Sequence, residues 1–382
     1  MKKNVVRFLS YVLVAVLASL STLALESKLA AGGKLEQLAG LIGEKFIGGA
    51  DRTALEDAAA SAMVSATGDR WSYYIPASEY ESYTEQMNNA YVGVGITIQT
   101  DQEERGFAIM EVTPGSGAEA AGLQAGDLLV EVEGQDVGGM SSNDVRGLVR
   151  GEPGTTVSLG VMRAGKRLTM DVERRQIQTP VAQGQMLKDT VGYVAIANFD
   201  ARCAEETTAA IETLMEQGAR KLIFDVRGNP GGYADELVKV LDYLLPEGEV
   251  FHTVRYDGQE HVDYSDESHL DLPMAVLVNG NSYSAAEFFA EALQEYEAAI
   301  VVGEKTVGKG YFQNTFRLAD GSAVALSIGK YFTPSGENLA DIGVTPDVEC
   351  PVDEETAAQI YYGILPLAED PQVNAALKAL DE

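Results

Sequence analysis

Two side chains that could together cleave an amide bond stand in neighbouring loops of the sequence. Ser284 follows the apolar run that ends at Val278, and Lys309 lies between two glycines after a second apolar run, "AIVVG". A serine hydroxyl becomes a nucleophile when an adjacent base takes its proton, and a neutral lysine amine can be that base. The pair therefore predicts acyl transfer by a Ser/Lys dyad.

Ser284 also has a simpler interpretation. Ser284, Ala285, Ala286 and Glu287 spell a helix-capping box, in which serine and glutamate satisfy each other's backbone amides. The lysine loop favours the nucleophile, because in a strand, helix, strand unit both loops lie at the same edge of the sheet. From the tetrapeptide alone, the cap would be the better interpretation.

A lysine that acts as a base must be neutral, so burial has to lower the pKa of Lys309 from its usual value of about 10.4. The surrounding "TVGKGYF" supplies Val307, Tyr311 and Phe312 for an apolar pocket. We expect these side chains to surround the amine.

Other catalytic arrangements have little support. The three histidines, His252, His261 and His269, lie in one polar stretch, and no serine stands in a G-x-S-x-G elbow, so a Ser-His-Asp triad is not indicated. Cys203 and Cys350 are the two cysteines, and no C-x-x-C pair or histidine cluster accompanies them. We therefore expect neither a metal nor a cofactor. The cysteines either form a disulfide or remain as two buried thiols.

The pattern of apolar segments indicates how the two loops are positioned. After about residue 176, strands alternate with helices, which predicts an α/β core with crossover helices. Between residues 91 and 173, short β-branched strands punctuated by glycine, with one helix at about 142–149, predict a mainly-β unit. Residues 28–89 have helical periodicity and would form a helical arm, a dimerisation element or a mobile stalk.

The mainly-β unit resembles a PDZ domain, with "AGLQAGDLLVEVEGQDV" matching the family's most regular segment. In such domains a peptide adds as a strand to a sheet edge, while backbone amides hold its terminal carboxylate. The resemblance implies that the loop "GVGI", which is Gly93, Val94, Gly95 and Ile96, binds the carboxylate. A tight turn beside a strand is the alternative interpretation.

Residues 35–348 together resemble the carboxyl-terminal processing peptidases of family S41, which are tail-specific serine proteases with an embedded PDZ domain. The matching motifs are "VNGNSYSAAE", "GKGYFQ" and "DVRGNPGG". The resemblance implies that Ser284 is the nucleophile, that Lys309 is the general base and that Gln313 orients the lysine.

The same resemblance implies an oxyanion hole formed by the amides of Gly231, Gly232 and Ala285. Amides at a glycine turn and at a helix N-terminus direct donors at a developing negative charge. Tyr283 stands where the family has a small or serine residue, and Gly228 where it has asparagine. Neither departure removes a catalytic group, but Tyr283 leaves open which substrate side chains the site prefers.

The resemblance also predicts the fold class, an α/β protease core of the Clp protease and crotonase type with an embedded mainly-β PDZ domain and an N-terminal helical segment. The expected domains are a signal peptide or membrane anchor at 1–25, a helical region at 26–90, the PDZ domain at 91–174, the protease core at 175–350 and a C-terminal helical segment at 351–382.

Charge indicates partners and location. With 28 basic and 58 acidic residues the net charge is −30, which argues against nucleic acid as a binding partner because its phosphates would be repelled. Lys2, Lys3 and Arg7 precede the uncharged run Phe8–Leu25. This run is predicted to be a cleaved signal peptide or a retained anchor, with a buried core helix as the alternative. The remaining chain would then face outward, on the outer side of the cytoplasmic membrane.

The leading hypothesis is an exported endopeptidase that cuts proteins near a C-terminal tail captured by the PDZ domain. Its expected partners are proteins or peptides with free tails, and membrane anchoring and a homo-oligomer are both compatible with the sequence. A non-catalytic PDZ adaptor is one alternative, although it would not need Ser284, Lys309 and Gln313. A crotonase-like acyl-transfer enzyme is another, but acyl-CoA is cytoplasmic and the export signal argues against it.

Overall fold

The computed structural model describes residues 33–101, 106–188 and 190–381, and the predicted signal segment Phe8–Leu25 lies outside them. Contacts divide the chain into two units. The first comprises the described residues up to Tyr80 together with Gln313–Ser327, and the second comprises Glu81–Phe312 and the residues from Ile328 onward. In the described ranges, no helix is long and apolar enough to cross a membrane.

The helices of the described chain are α1 (Lys34–Lys45), α2 (Arg52–Ser65), α3 (Tyr80–Met87), α4 (Gly117–Ala121), α5 (Ser142–Val149), α6 (Cys203–Glu216), α7 (Ala234–Leu244), α8 (Ala285–Glu295), α9 (Glu354–Tyr361) and α10 (Pro371–Ala379). Its strands are β1 (Tyr73–Ile75), β2 (Ala90–Gly93), β3 (Ile96–Asp101), β4 (Gly106–Val112), β5 (Leu128–Val132), β6 (Gln135–Asp136), β7 (Thr156–Arg163), β8 (Lys166–Glu173), β9 (Arg175–Gln178), β10 (Ala182–Lys188), β11 (Val191–Ile196), β12 (Lys221–Asp225), β13 (Gly248–Arg255), β14 (Glu260–Ser265), β15 (Met274–Val278), β16 (Ala299–Gly303), β17 (Tyr311–Arg317), β18 (Ala323–Phe332) and β19 (Val348–Glu349).

The first unit contains the helices predicted near the N-terminus. Leu35, Leu38 and Leu41 recur on one face of α1, but each is about half exposed to solvent. Neither α1 nor α2 buries a residue. Strand β1 pairs antiparallel with the first residues of β18, with Tyr73 opposite Ala325.

In the second unit, residues 90–178 form a mainly-β domain. Its sheet has the order β3-β4-β5-β7-β8, and β6 pairs with β5. Alternating apolar residues such as Leu129, Leu159 and Val161 bury one face of this sheet. The ribbon β2–β9 connects the domain to the rest of the chain, with Tyr91 opposite Ile177. Strand β3 lies at the edge of the sheet, beside α5.

The α/β core has a sheet of order β10-β11-β12-β15-β16-β19. All its pairings are parallel except that of β10 with β11. Helices α6, α7 and α8 cover one face, where Phe199, Phe224 and Phe289 pack, and α10 covers the other face with Val373 and its neighbours. Because the parallel strands point the same way, the loops after β11, β12, β15 and β16 meet at one edge.

A second sheet segment lies near this edge. Strand β13 pairs with β14 and with the last residues of β18, where Thr253 lies opposite Tyr331. The ring of Tyr331 packs against Phe288 of α8 and against Phe251 of β13. The C-terminal segment, predicted as one or two helices, contains α9 and α10.

Candidate active site

Ser284 lies at the end of the loop between β15 and α8. Ser282 anchors this loop, because its hydroxyl donates to the Val226 carbonyl over 2.7 Å and accepts the Asn279 amide over 3.1 Å. Ser284 itself has φ 61° and ψ −125°, a left-handed conformation that side chains other than glycine rarely adopt. The sharp turn leaves the half-buried Ser284 at the very start of α8.

The Glu287 carboxylate joins the serine loop to the lysine loop. It accepts the Ser284 amide over 3.0 Å and the Lys309 amide over 2.9 Å. It also accepts the Gly308 amide over 2.6 Å and the Thr306 hydroxyl over 2.5 Å. Glu287 is fully buried. The backbones of Ser284 and Lys309, which are 25 positions apart in sequence, are thus held on one side chain.

The ring beside the lysine amine is that of Tyr283. Its centroid lies 5.8 Å from Lys309 Nζ, and burial raises the pKa of Tyr283. Tyr283 therefore contributes to the surroundings of the amine, although the sequence indicated it only as a departure from the family pattern. That Val307, Tyr311 and Phe312 also surround the amine stays a prediction.

The glycine turn after β12 packs directly against Ser284. A Cβ atom on Gly231 would lie 2.7 Å from Ser284 Cβ and 2.8 Å from the Ala285 amide nitrogen. A Cβ atom on Gly232 would lie 2.2 Å from the Phe199 carbonyl oxygen. Only glycine fits at either position, so the backbone of this turn can approach the serine closely.

The three amides expected to form an oxyanion hole are not equivalent. The Gly231 amide donates to Asn229 Oδ1 over 2.8 Å and is therefore occupied. In the part of the chain that the structure describes, no acceptor forms a hydrogen bond with the Gly232 amide or the Ala285 amide. Asn229 also accepts the Tyr283 amide through its carbonyl, which ties the glycine turn to the serine loop.

A buried charge network supports the glycine turn from the opposite side. The Arg227 guanidinium binds Asp225 at the end of β12, and its Nη1 lies 2.8 Å from both Asp370 Oδ2 and Gln372 Oε1 at the start of α10. Burial acts against the charged form, but Asp225 and Asp370 outweigh it and raise the pKa of Arg227. The motif "DVRGNPGG" pointed to this region, but nothing in the sequence indicated Asp370.

Gln313 and the histidines have their own partners. Gln313 lies on β17 in the first unit, where its Nε2 donates to Ser327 Oγ over 3.0 Å. His252 lies against the Phe332 ring, and His261 Nε2 is 3.0 Å from Asp263 Oδ1. These histidine contacts include no residue of the serine or lysine loop.

The two cysteines are free thiols. Burial raises the pKa of Cys203 to about 12, so this thiol is inert. Among the residues that the structure describes, no cluster of three candidate metal ligands occurs.

The predicted carboxylate-binding loop is fixed by its carbonyl groups. The Val94 carbonyl accepts the Ala118 amide and the Gly95 carbonyl accepts the Thr113 amide, each over 2.9 Å. Gly95 has φ 83°, and a Cβ atom there would lie 2.2 Å from Ser116 Cβ. Next to the loop, α5 packs beside β3, with Ser142 Oγ 3.4 Å from Thr100 Oγ1.

Comparison with known proteins identifies the family. Residues 190–350 match the family model described as peptidase family S41, and residues 109–163 match a PDZ domain model. A carboxyl-terminal-processing protease of Synechocystis sp. is 33% identical over 86% of this chain and 76% of its own length. The chain belongs to peptidase family S41.

Other similar proteins agree with this family. The carboxy-terminal processing protease CtpA of Bacillus subtilis is 33% identical over 78% of this chain, which spans 64% of that relative's length. A solved structure named photosystem II D1 C-terminal processing protease is 28% identical, with a TM-score of 0.50, and the match covers 85% of this chain and 89% of that one. The predicted S41 fold class, with its α/β core and embedded PDZ domain, is confirmed.

Membership in family S41 also confirms, at the level of the family, the prediction of a serine-type peptidase. It explains why an α/β core carries a mainly-β insertion before its first parallel strand. The family match covers β11 to β19 and so includes the serine loop, the lysine loop and the glycine turn.

Proposed function

We propose that this S41 family member is an exported serine endopeptidase in which Ser284 is the nucleophile and Lys309 the general base. The observation that carries the proposal is the buried Glu287 carboxylate, which accepts the backbone amides of both residues. A carboxylate that served only as a helix cap would need the first contact alone. The second contact supports a site in which the two residues act together.

In the proposed reaction, Ser284 Oγ attacks the carbonyl carbon of the scissile amide while the neutral Lys309 amine takes the hydroxyl proton. The carbonyl oxygen becomes an oxyanion and accepts hydrogen bonds from the amides of Gly232 and Ala285. When the C–N bond breaks, the Lys309 ammonium gives its proton to the leaving amine. Water then attacks the acyl ester while Lys309 takes the water proton. The ester C–O bond breaks, and the Lys309 ammonium returns that proton to Ser284 Oγ as the carboxylic acid product leaves.

Two of the residues implied by resemblance have narrower roles in this proposal. Gly231 acts through the shape of the turn rather than through its amide, because that amide already binds Asn229. Gln313 is proposed to orient Lys309, and this role rests on the motif "GKGYFQ" alone.

The PDZ domain is proposed to capture the free C-terminal tail of the substrate. In a trans peptide group the N–H points opposite to the C=O. Because the carbonyls of Val94 and Gly95 bind within the domain, the amides of Gly95 and Ile96 point away from those contacts. Such amides could hold a carboxylate while the tail adds to the edge of β3. Gly93 and Val94 complete the loop.

Export is proposed from the N-terminal sequence, where Lys2, Lys3 and Arg7 precede the uncharged run Phe8–Leu25. The proposed substrates are accordingly proteins or peptides outside the cytoplasm.

The proposal can be tested by labelling the full-length protein with a fluorophosphonate serine probe and mapping the modified residue. We expect the label on Ser284, and we expect cleavage of an unfolded reporter protein that ends in Ala-Ala. A protein that neither labels nor cleaves would favour the PDZ adaptor, and label on another serine would overturn the site.

A second arm of the experiment tests tail capture by using the same reporter with an amidated C-terminus. Hydrogen bonds to a charged group contribute about 1.5–3 kcal/mol, so cleavage at limiting substrate should weaken by about 10- to 100-fold. Equal cleavage of the two reporters would leave the peptidase assignment intact and overturn tail capture.

A further inference from the structure

One buried side chain holds the glycine turn of the proposed oxyanion hole from within. Asn229 is only 1% exposed to solvent. Its Oδ1 accepts the Gly231 amide over 2.8 Å, and its Nδ2 donates to the Ile196 carbonyl at the end of β11, also over 2.8 Å. The motif "DVRGNPGG" contains Asn229, but nothing in the sequence indicated that its side chain joins the turn to the neighbouring strand.

The two partners determine which way the Asn229 amide group points. The Gly231 N–H needs an acceptor and the Ile196 carbonyl needs a donor, so only one of the two orientations of the side-chain amide satisfies both. The contact between Asn229 and Gly231 is an Asx-turn, because it joins a side chain to the backbone amide two residues later. Pro230 stands between them, and its ring holds φ at about −65°. The turn is therefore stiff before Gly231.

The main chain of Asn229 connects the same turn to the serine loop. Its carbonyl accepts the Tyr283 amide over 3.1 Å, and its amide donates to the Val226 carbonyl over 3.2 Å. The Val226 carbonyl also accepts the Ser282 hydroxyl. Asn229 therefore makes hydrogen bonds with strand β11, with the glycine turn and with the serine loop. Loss of its side chain would remove the first two and leave the backbone contacts in place.

A second contact sets the direction of the Gly232 amide. The Gly231 carbonyl accepts the Phe199 amide over 2.9 Å. In a trans peptide group the N–H points opposite to the C=O, so the Gly232 N–H points away from Phe199. Gly231 itself lies against Ser284, where a Cβ atom would come within 2.7 Å of Ser284 Cβ. The peptide groups on both sides of Gly231 are thus fixed, one by Asn229 and the other by Phe199.

The two glycines would not keep this arrangement by themselves. Gly231 has φ 87° and Gly232 has φ 154°, and glycine reaches such angles as easily as many others. Without an acceptor for the Gly231 amide, the peptide group before Gly231 is free to rotate, and the Gly232 amide loses its single direction. A preorganised donor stabilises a developing charge without reorganisation, whereas a donor that moves must first be reoriented.

We infer that Asn229 is a positioning residue, whose side chain fixes the glycine turn so that the Gly232 amide faces the oxyanion that forms at Ser284. Asn229 acts through Gly231 and takes no part in proton transfer. The inference rests on the proposed function and gives the two amides of the turn separate tasks. The Gly231 amide holds the turn, and the Gly232 amide binds the oxyanion.

The experiment compares Asn229→Ala with Ser265→Ala in the full-length protein. Ser265 is 3% exposed and its hydroxyl donates to the Pro246 carbonyl over 2.5 Å, so the control also loses a buried side-chain hydrogen bond to the backbone. Removing an oxyanion-hole donor lowers kcat by about 100- to 1,000-fold. Asn229→Ala only loosens the donor, so kcat for the unfolded reporter should fall by about 10- to 100-fold, with KM within about twofold. Ser265→Ala should stay within about twofold of wild type.

A conservative variant tests the acceptor at Gly231. A serine hydroxyl accepts the backbone amide two residues later in the same way as asparagine, but more weakly. Asn229→Ser therefore keeps an acceptor for the Gly231 amide while it loses the contact with Ile196. We expect its kcat to lie between those of Asn229→Ala and wild type.

A peptide aldehyde tests whether the loss arises at the oxyanion. The probe carries the residues that precede the cleaved bond of the reporter. Ser284 Oγ adds to the aldehyde carbon, its proton passes to Lys309, and the aldehyde oxygen becomes an oxyanion that accepts the Gly232 amide. The inhibition constant of the aldehyde should rise by the same factor by which kcat falls in each variant. The corresponding peptide alcohol cannot form this adduct, and its inhibition constant should stay within about twofold.

Melting temperatures report which variants are folded, and all rates are measured well below the lowest of them. A folded Asn229→Ala enzyme with wild-type kcat would overturn the inference, as would a reduced kcat with unchanged inhibition by the aldehyde. Equal kcat values for Asn229→Ala and Asn229→Ser would overturn the role of the acceptor. If Asn229→Ala does not fold, the kcat of Asn229→Ser and its inhibition by the aldehyde decide in the same way. Wild-type fluorophosphonate label on a residue other than Ser284 would instead overturn the proposed function.

Discussion

The helices α5 and α8 begin in the same way in sequence and differently in structure. Each follows a serine that has an acidic residue three positions later. Ser141 has φ −75° and ψ 154°, the extended conformation of a helix cap, and its side chain accepts the Asp144 amide. Ser284 has φ 61° and ψ −125°. The capping signature alone therefore does not distinguish a cap from a candidate nucleophile.

The acidic partners differ even more than the serines do. Asp144 is exposed, and it binds the hydroxyl and the amide of Ser141 within its own helix turn. Glu287 is fully buried and binds the lysine loop as well as the Ser284 amide. The first box only caps the start of a helix, whereas the second also joins two loops at the edge of the parallel sheet.

The largest difference should appear when each serine is replaced by alanine. Ser284→Ala removes the proposed nucleophile, so cleavage of the unfolded reporter should fall by about 1,000-fold or more. Ser141→Ala should cost about 1 kcal/mol of stability through loss of its cap and leave cleavage of the amidated reporter within about twofold. Both quantities can be measured by reporter cleavage and thermal melting. If folded Ser284→Ala cleaves as well as Ser141→Ala, Ser284 is only a cap.

The second prediction concerns the acidic partners, replaced by amides of the same shape. Glu287→Gln places an NH2 group among donors that all need an acceptor, and a buried unsatisfied group costs about 1–3 kcal/mol. We expect a lower melting temperature and, because the Lys309 loop loses its anchor, a kcat reduced by about 10- to 100-fold. Asp144→Asn, at an exposed position, should change stability by less than about 0.5 kcal/mol. An active, stable Glu287→Gln enzyme would show that the hydrogen bonds of Glu287 to the serine and lysine loops are dispensable.

The comparison also shows what could be predicted from the sequence. The alternation of strands and helices is a local pattern, and parallel strands bring their following loops to one edge, so the proximity of Ser284 and Lys309 was predictable. The conformation of Ser284 was not, because the tetrapeptide is equally suited to an ordinary cap. What distinguishes Ser284 from an ordinary cap is the close packing of Gly231 against it, and Gly231 is distant in sequence.

Contacts between distant parts of the chain also could not be predicted from the sequence. The pairing of Arg227 with Asp370 joins separate elements, and it does not follow from a repeat or a spacing. For the same reason the sequence did not indicate that the Tyr283 ring lies beside the Lys309 amine.

A third prediction uses glycine to measure backbone strain at the two serines. A residue other than glycine in the conformation of Ser284 costs about 1–3 kcal/mol, so Ser284→Gly should be more stable than Ser284→Ala by that amount. At position 141, the free energy of unfolding of Ser141→Gly should exceed that of Ser141→Ala by less than about 1 kcal/mol, because both residues can adopt the extended conformation of the cap. Chemical denaturation of the four variants gives the two differences. Equal differences would mean that the turn at Ser284 is not strained.

The smallest expected effect concerns the second turn of α8, which has an acidic surrounding that α5 lacks. Burial, together with the negative charges of Glu295 and Glu337, raises the pKa of Glu291 from 4.5 to about 7. The folded chain thus holds this proton more tightly than the unfolded chain does. The resulting stability is fully present below the unfolded pKa and is lost as the pH rises through the folded pKa. Glu291→Gln cannot lose a proton, so its melting temperature should fall less than that of wild type between about pH 5 and pH 8. Parallel melting curves for the two proteins would show that Glu291 ionises at its ordinary pKa and that the two helices differ only in their first turn.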